Sequence, residues 1–232
     1  MKAYKKDFYN TMYQEEKPEP GGEWLFHKLK HFEKHREEAV IELLQKKGDR
    51  LIDIACGEGT LIFKIADKFK ESWGIDISKE RIKRAELEKK QRNLKNVNFK
   101  IVDVDQGLPF KDMSFDVVTA VAALAYFFDP YFAVKEMNRI LGKGGVLVIE
   151  VPNLAYLPRR IELFLGRQPW TSSGGGWDGG HLHYFTQGSL VDLIENSGFE
   201  IVKISGSGVF ADLRNWYPSL LCGDLIVKAV KK

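Results

Sequence analysis

The sequence predicts an α/β fold in which helices cover both faces of a mostly parallel sheet. The first observation is Leu51-Ile-Asp-Ile-Ala-Cys-Gly-Glu-Gly-Thr60, an apolar strand pattern that runs into a glycine turn and a helix. The second is Trp73-Gly-Ile-Asp-Ile-Ser78, another apolar run that ends in an acid. The third is the regular alternation of strand and helix patterns, which is typical of a doubly wound parallel sheet.

In the first half of the chain, short apolar runs alternate with segments of helical spacing. Helical spacing begins near Trp24 and continues to Gly48, and we expect this segment to pack over the first strand. Residues 1–22, which precede it, are polar and aromatic and read as a lead-in arm. The strands that follow are expected at Arg50–Ala55, Ser72–Asp76 and Val97–Val102, with helices at Thr60–Phe69 and Lys79–Arg92.

The second half continues the alternation and ends in two strands without a helix between them. Gly142-Lys-Gly-Gly145 is expected to stop a helix, and Pro152 to end a strand because proline has no amide for a ladder. The last two strands resemble a hairpin with a wide excursion, which reverses the final strand. The expected strands are Phe115–Val121, Val146–Val151, Phe199–Ser205 and Leu225–Val230, and the helices are Asp129–Leu141 and Gln187–Ser197.

Composition excludes several functional classes. A net charge of +3 over 232 residues is too small to indicate a nucleic-acid partner. No apolar run reaches the length of a membrane span and the N-terminus lacks a signal-peptide core, so we expect a cytoplasmic protein with no membrane partner. Cys56 and Cys222 form no disulfide framework, and no Cys/His cluster has zinc-ligand spacing, so no metal is expected.

The glycine turn and the second acid indicate an adenosine-containing cofactor. Gly57 and Gly59 allow the backbone to turn tightly beside a ligand, and Asp76 ends the next strand, where its carboxylate can accept both ribose hydroxyls. A dinucleotide fingerprint needs a third glycine, but Thr60-Leu-Ile62 follows here. Glu58 would also place negative charge where a pyrophosphate would lie. A ligand without phosphates therefore fits better than NAD.

These residues resemble the class I S-adenosylmethionine (SAM) dependent methyltransferases. Their first motif, acid-x-Gly-x-Gly-x-Gly, is matched by Asp53-Ile-Ala-Cys-Gly-Glu-Gly59, in which Ala55 replaces the first glycine at an expected small cost. The resemblance implies a Rossmann-like seven-stranded sheet with an antiparallel last strand. It continues through Asp103–Phe110, Ser114–Val118, Arg139–Gly145 and Val151–Asn153. Gly166–Trp170 and His181–Phe185 look most like the branch that contains MetW and the ubiquinone O-methyltransferases.

The resemblance implies a set of cofactor-binding residues. Asp53 would lie near the cofactor amino group, and Asp76 with Ile77 near the ribose, although Asp76 can instead cap the following helix, a position that Ser78 also suits. Asp103 would accept from the adenine amino group, with Asp105 as an alternative. Arg36 would pair with the cofactor carboxylate, or is a surface charge. The remaining positions are Ala55, Cys56, Gly57, Glu58 and Gly59 along the turn, the Val104 amide and Val121; Cys56 is expected to pack and not to react.

Catalytic residues are harder to assign, because methyl transfer depends largely on positioning and exclusion of water. The acid-His pair of many relatives is replaced here by Ala125-Tyr126. His181 or His183 can serve as a base near neutral pH, and His181 matches the family pattern better. Both histidines also have a structural interpretation, in which one bonds a backbone carbonyl and the other faces solvent.

A glycine-rich insertion follows the fifth strand. Glycines beside large aromatic residues suit a lid over a substrate, although the same composition fits a surface loop. Inward-facing arginines would favour an anionic substrate. The residues concerned are Tyr156, Arg159, Arg160, Trp170, Ser172–Gly176 and Trp177.

The sequence therefore predicts a single methyltransferase domain over residues 1–232, acting on oxygen or nitrogen of a small molecule as a monomer or homodimer. Two alternatives remain at this stage: a SAM-binding regulator or partner subunit, and an NAD-dependent oxidoreductase. The expected parts are residues 1–47 as arm and helical cover, 48–151 as cofactor-binding core, 152–186 as lid-like insertion, and 187–232 as C-terminal helix and β-hairpin.

Overall fold

In the computed structural model, residues 33–44, 48–171, 180–209 and 211–232 are described. The strands are β1 (Glu33–Lys34), β2 (Gly48–Ile54), β3 (Phe69–Asp76), β4 (Val97–Ile101), β5 (Phe115–Val121), β6 (Leu141–Pro152), β7 (Phe199–Ser205), β8 (Gly208–Val209) and β9 (Asp224–Lys231). The α-helices are α1 (Arg36–Leu43), α2 (Thr60–Ile65), α3 (Lys79–Gln91), α4 (Pro130–Ile140), α5 (Leu157–Phe164), α6 (Gln187–Asn196), α7 (Ala211–Arg214) and α8 (Pro218–Leu221).

Within the described residues, seven strands form one twisted sheet in the order β4-β3-β2-β5-β6-β9-β7. The pairs from β4 to β6 are parallel, whereas β9 runs antiparallel to both β6 and β7. This confirms the predicted mostly parallel α/β fold with a reversed last strand. The carboxyl ends of β2, β3 and β5 consequently meet at one edge, where open α/β sheets bind ligands.

The apolar strand patterns place a core on each face of the sheet. Adjacent residues of β2 alternate between the two layers: Leu51 packs with α1 and α2, whereas Ile52 packs with α4 and α6. Both side chains are fully buried. Such burial on both faces is the reason that parallel strands read as continuous apolar runs.

The prediction of a continuous helix from Trp24 to Gly48 is confirmed over Arg36–Leu43 and wrong at Glu33–Lys34 and at Gly48, which begins β2. Glu33 and Lys34 form β1, which pairs antiparallel with β8 through Glu33↔Val209 and Lys34↔Gly208. Extended backbone obtains its hydrogen bonds from that distant strand, which local helical spacing cannot reveal. Helix α1 therefore begins only at Arg36. The predicted lead-in arm and residues 24–32 lie outside the described residues.

The predicted helix Thr60–Phe69 is also shorter than expected. Helix α2 ends at Ile65, a 3-10 turn follows at Ala66–Lys68, and Phe69 already begins β3. Gly142–Gly145 ends α4 as predicted but lies inside β6, where the pairing with β5 shifts between Phe115 and Val117. The glycines thus form a bulge that joins helix and strand directly.

Arg139 of α4 ties the loop after β4 to the body of the domain. Its guanidinium donates to the carbonyls of Leu108 and Phe110 at 2.9 and 2.8 Å, and to the carboxylates of Asp112 and Glu136. Charged groups with several fixed hydrogen bonds hold a loop more firmly than a single surface ion pair does. The loop that leads from β4 to β5 is thereby fixed.

In the part of the chain that the structure describes, no helix combines the length and apolar character needed to cross a membrane.

We expect Gly74→Ala to destabilise the fold, because Gly74 of β3 leaves no room for a side chain. A Cβ at this position would lie 2.6 Å from the Phe99 ring and 2.7 Å from Ile62 Cδ1. Overpacking of this kind costs about 1–3 kcal/mol in the free energy of unfolding. Urea unfolding measures it, with Gly188→Ala as control, since a Cβ there meets only Thr186 Oγ1 at 4.0 Å. Equal stability of both variants would contradict the packing described.

Candidate active site

A cavity of about 450 Å³ lies at the carboxyl ends of β2 and β5, beside the start of α1. Its volume falls within the roughly 300–1,000 Å³ of small-molecule sites. The predicted site residues that line it are Arg36, Asp53, Ala55, Cys56, Gly57, Glu58 and Val121. Gly59, Asp76, Ile77, Asp103 and Val104 lie outside this lining.

The turn after β2 is built from left-handed backbone. Gly57 and Gly59 have φ of 57° and 85°, which glycine adopts without steric cost. Ala55 also has a positive φ of 57°, so the expectation that this replacement costs little was wrong. An L-residue in this region brings its Cβ close to the following carbonyl oxygen, at a cost of about 1–2 kcal/mol.

Asp76 joins the glycine turn to the start of α3. Its Oδ2 accepts from the Gly57 N–H at 2.9 Å, and its Oδ1 accepts from the Ser78 N–H at 2.8 Å. Burial raises the pKa of this carboxyl, and the hydrogen bonds and Arg81 oppose that rise. Ser78 caps α3 through the Arg81 N–H, as predicted. The carboxylate of Asp76 therefore holds the glycine turn against the start of α3.

Asp53 is 3% exposed and lies at the floor of the cavity. Its Oδ1 accepts a hydrogen bond from Thr119 Oγ1 at 2.6 Å. Burial raises the pKa of Asp53 to about 7, while the Thr119 hydrogen bond opposes the rise. A cationic group near this carboxyl would favour its ionised form.

Two neighbouring side chains of the turn have different surroundings. Cys56 is buried, and burial raises the pKa of its thiol well above the usual value. Because the thiolate is the reactive form, the Cys56 thiol is suited to packing. Glu58 forms an ion pair with Arg84 at 2.8 Å, with both side chains about half exposed.

The loop after β4 contains the predicted adenine-binding residues. Asp103 Oδ1 accepts from the Asp105 N–H at 3.2 Å, and its Oδ2 accepts from Gln106 Nε2 at 2.6 Å. Asp105 accepts from the Phe128 N–H at 2.8 Å and so links this loop to the segment after β5. Val104 is buried. Asp105 thus has a structural partner of its own on the neighbouring loop.

Tyr126, in the segment after β5, meets two residues from the insertion after β6, His181 and Thr171. The rings of Tyr126 and His181 meet edge to face with centroids 4.6 Å apart, and His181 Nδ1 lies 2.8 Å from Thr171 Oγ1. Tyr126 acts electrostatically on Arg36, which lines the cavity. His183 Nε2 lies 3.3 Å from the Phe128 carbonyl oxygen, which can only accept a hydrogen bond. The two histidines therefore have different surroundings.

The insertion after β6 is tied to the sheet through one arginine. Arg159 of α5 donates to the carbonyls of Asn153 and Gly223 at 2.8 and 2.7 Å, and to that of Trp170 at 3.0 Å. Its guanidinium is thus engaged with backbone, and Arg160 donates to the Ala155 carbonyl. Ser172–Gly176 and Trp177, the glycine-rich part of the expected lid, lie outside the described residues.

Sequence reasoning missed several residues of the site. Arg81 lines the cavity, and its Nη1 lies 3.0 Å from the position that a Cβ on Gly57 would take. In the sequence, Arg81 is one of several basic residues on a helix expected to be exposed. Glu37 and Ala122 also line the cavity. Thr119 and Thr171 carry no motif, and only the fold brings them to Asp53 and His181.

Comparison with known proteins agrees with this geometry. A family model described as a methyltransferase domain matches residues 45–168, which is more than half of the chain. The chain belongs to this methyltransferase family. It is an enzyme that transfers methyl groups.

Relatives of this methyltransferase include two named demethylmenaquinone methyltransferase. That of Thermotoga maritima is 27% identical over 200 residues, which cover 76% of this chain and 83% of the relative. That of Staphylococcus aureus is 34% identical over 124 residues, which cover 50% of this chain and 50% of the relative. The chain thus spans about half the length of that relative. A solved structure of a possible histamine N-methyltransferase from Thermotoga maritima has a TM-score of 0.64 at 20% identity and 100% coverage of both chains. This last likeness shows the fold alone.

We expect Ala55→Gly to stabilise the methyltransferase, because glycine removes the steric cost at φ 57°. The gain should be about 0.5–1 kcal/mol in the free energy of unfolding, after the added entropy of the unfolded chain is subtracted. Ala123 is the matched control, since it is 1% exposed with φ −112°, and Ala123→Gly should destabilise. Chemical unfolding of the three proteins measures this. A loss of stability in Ala55→Gly would contradict the strain described.

Proposed function

We propose that this enzyme transfers the methyl group of SAM to a small aromatic acceptor, of the class that the name demethylmenaquinone methyltransferase describes in its relatives. The observation that carries the proposal is the edge-to-face pair of Tyr126 and His181, since Tyr126 also contributes to the raised pKa of Arg36, a residue that lines the cavity. Flat acceptors pack well against aromatic side chains. The resemblance to the MetW and ubiquinone O-methyltransferase branch is consistent with a small-molecule acceptor.

The residues present fit the cofactor. SAM supplies an electrophilic methyl group on a sulfonium that loses its charge during transfer. Asp53 and Arg36 offer opposite charges to its amino and carboxylate groups across one cavity, beside the backbone of Ala55 to Gly59 and Val121. We assign Asp76 with Ile77 to the ribose, and Asp103 with the Val104 amide to the adenine, beyond the lining of this cavity. The acceptor is then assigned to the Tyr126–His181 pair.

On the acceptor side, we assign His181 the role of base, with Tyr126 packed against it. Thr171 Oγ1 lies 2.8 Å from His181 Nδ1 and so orients the ring, and histidine can take up a proton near neutral pH. His183 is less suited, since its Nε2 faces the Phe128 carbonyl. Tyr126 positions the acceptor, and His181 receives its proton.

The cofactor site is tested by calorimetric titration with S-adenosylhomocysteine, the demethylated product. Asp76→Asn removes a charge-assisted hydrogen bond, worth about 1.5–3 kcal/mol, so binding should weaken more than ten-fold. Asp67→Asn, in the exposed turn after α2, is the control and should bind as the parent does. Because Asp76 also holds the Gly57 turn, thermal unfolding of each variant accompanies the titration. Parent-like affinity in a folded Asp76→Asn protein would overturn the ribose assignment.

The acceptor class is tested by methyl transfer from SAM to demethylmenaquinone. We expect turnover by the parent and a loss of at least about 100-fold in kcat for His181→Gln, since a general base typically contributes 10²–10⁴-fold. His183→Gln should stay within a few-fold of the parent. Cofactor binding without turnover would reject this acceptor class, and equal losses in both histidine variants would reject the assignment of His181.

A further inference from the structure

Glu150 is a fully buried carboxyl group directly behind the wall of the cavity. It lies near the carboxyl end of β6, opposite Val121 of β5. Its Oε2 accepts from the N–H of Ala122, which lines the cavity, at 2.7 Å. Its Oε1 is buried and hydrogen bonds to no atom within the described ranges. An unsatisfied buried carboxyl oxygen is costly and needs an explanation.

The charges around Glu150 come from two elements, α1 and β9. Arg36 of α1 attracts it, whereas Asp224 of β9 and Glu37 of α1 repel its charge. Burial raises the pKa of Glu150 to about 8, Asp224 and Glu37 add to the rise, and Arg36 and the Ala122 hydrogen bond oppose it. In return, Glu150 is the main group that raises the pKa of Arg36, with smaller contributions from Asp224, Glu37 and Tyr126.

Arg36 lines the cavity, and helix α1, which it begins, packs against β6, the strand that carries Glu150. A ligand carboxylate that binds Arg36 adds a second negative group to the surroundings of the same guanidinium. Like charges near a shared partner repel, and the repulsion is removed when one of them takes up a proton. The buried Glu150 side chain is the group that can do so without moving.

We propose that Glu150 shares the Arg36 guanidinium with the carboxylate of the bound cofactor, so that cofactor binding is coupled to uptake of a proton by Glu150. The inference rests on the proposed function, in which Arg36 meets that carboxylate. Glu150 acts through Arg36 and Ala122 and is a positioning residue.

The sign of the coupling follows from the charges. In the free enzyme the pKa of Glu150 is about 8, and a second carboxylate at Arg36 raises that pKa further. Between the two pKa values the bound enzyme holds more protons than the free enzyme. Affinity is therefore highest below about pH 8 and falls as the pH rises through the free and then the bound pKa. A rise of one pKa unit corresponds to a ten-fold change in affinity.

The experiment is calorimetric titration with S-adenosylhomocysteine from pH 7 to 9.5, in buffers of different ionisation enthalpy. Its comparison ligand is S-adenosyl-3-thiopropylamine, which keeps the nucleoside, the thioether and an amino group but lacks the carboxylate. We expect affinity for S-adenosylhomocysteine to fall about ten-fold over this range, with up to about half a proton taken up near pH 8.5. The amine should show neither effect. Equal pH dependence for both ligands would overturn the inference.

Glu150→Gln keeps the shape of the side chain and removes its titration. This variant should lose the fall in affinity for S-adenosylhomocysteine and bind it more tightly than the parent at pH 9.5. Glu38→Gln, an exposed position on α1, is the matched control and should keep the parent profile. An unchanged profile in folded Glu150→Gln would overturn the inference. If the variant does not fold, the comparison of the two ligands on the parent decides alone.

The two proposals fail in different ways. Absence of any binding by S-adenosylhomocysteine would contradict the proposed cofactor site and remove the basis of the coupling with it. Binding that needs Arg36, shown by at least ten-fold weaker affinity in Arg36→Gln, but that takes up no proton would overturn only the role of Glu150.

Discussion

The carboxylate of Asp76 is the constraint on which the site depends, because it fixes two loops from adjacent strands at once. One oxygen accepts from the Gly57 N–H of the turn after β2, and the other from the Ser78 N–H at the start of α3. A buried carboxylate with charge-assisted bonds to two backbone amides holds both loops in register. This link fixes the left-handed turn against the start of α3, where the Arg81 side chain approaches Gly57. The parallel sheet places the carboxyl ends of β2 and β3 side by side, and the hydrogen bonds of Asp76 join the loops that follow them.

Burial has the same electrostatic consequence for several acids at this edge of the sheet. Desolvation raises the pKa of Asp53, Asp76 and Glu150 alike, but their partners differ: a hydroxyl, two amides and a shared guanidinium. For each carboxyl, burial raises the pKa and a different neighbouring group opposes that rise. Such a site responds to charge brought by a ligand more strongly than an exposed cluster would.

Much of the fold could be predicted from the sequence, because the spacing of apolar residues and the positions of glycine and proline are local properties. The bounds of β5 agree with prediction residue for residue, since Phe115–Val121 is buried between two strands. The start of α1 could not be predicted, because β1 exists only through its pairing with residues 208–209. For the site, glycine and acid spacing found the turn. The sequence pattern does not reveal that Thr119 meets Asp53 or that Ala55 is strained, since both depend on tertiary geometry.

The pairing of β1 with β8 links residues that are far apart in the chain and lie on either side of the sheet-forming core. Helix α1, which begins at Arg36, is held by this strand pairing at one end. At its other end, Lys228 Nζ donates to the Leu43 carbonyl at 2.9 Å. Contacts of such long sequence separation carry a loop-closure entropy and form late. During synthesis, the Arg36 side of the cavity consequently lacks these anchors until residues 208–228 have emerged from the ribosome. The order of synthesis thus delays completion of the pocket until β8 and β9 have been made.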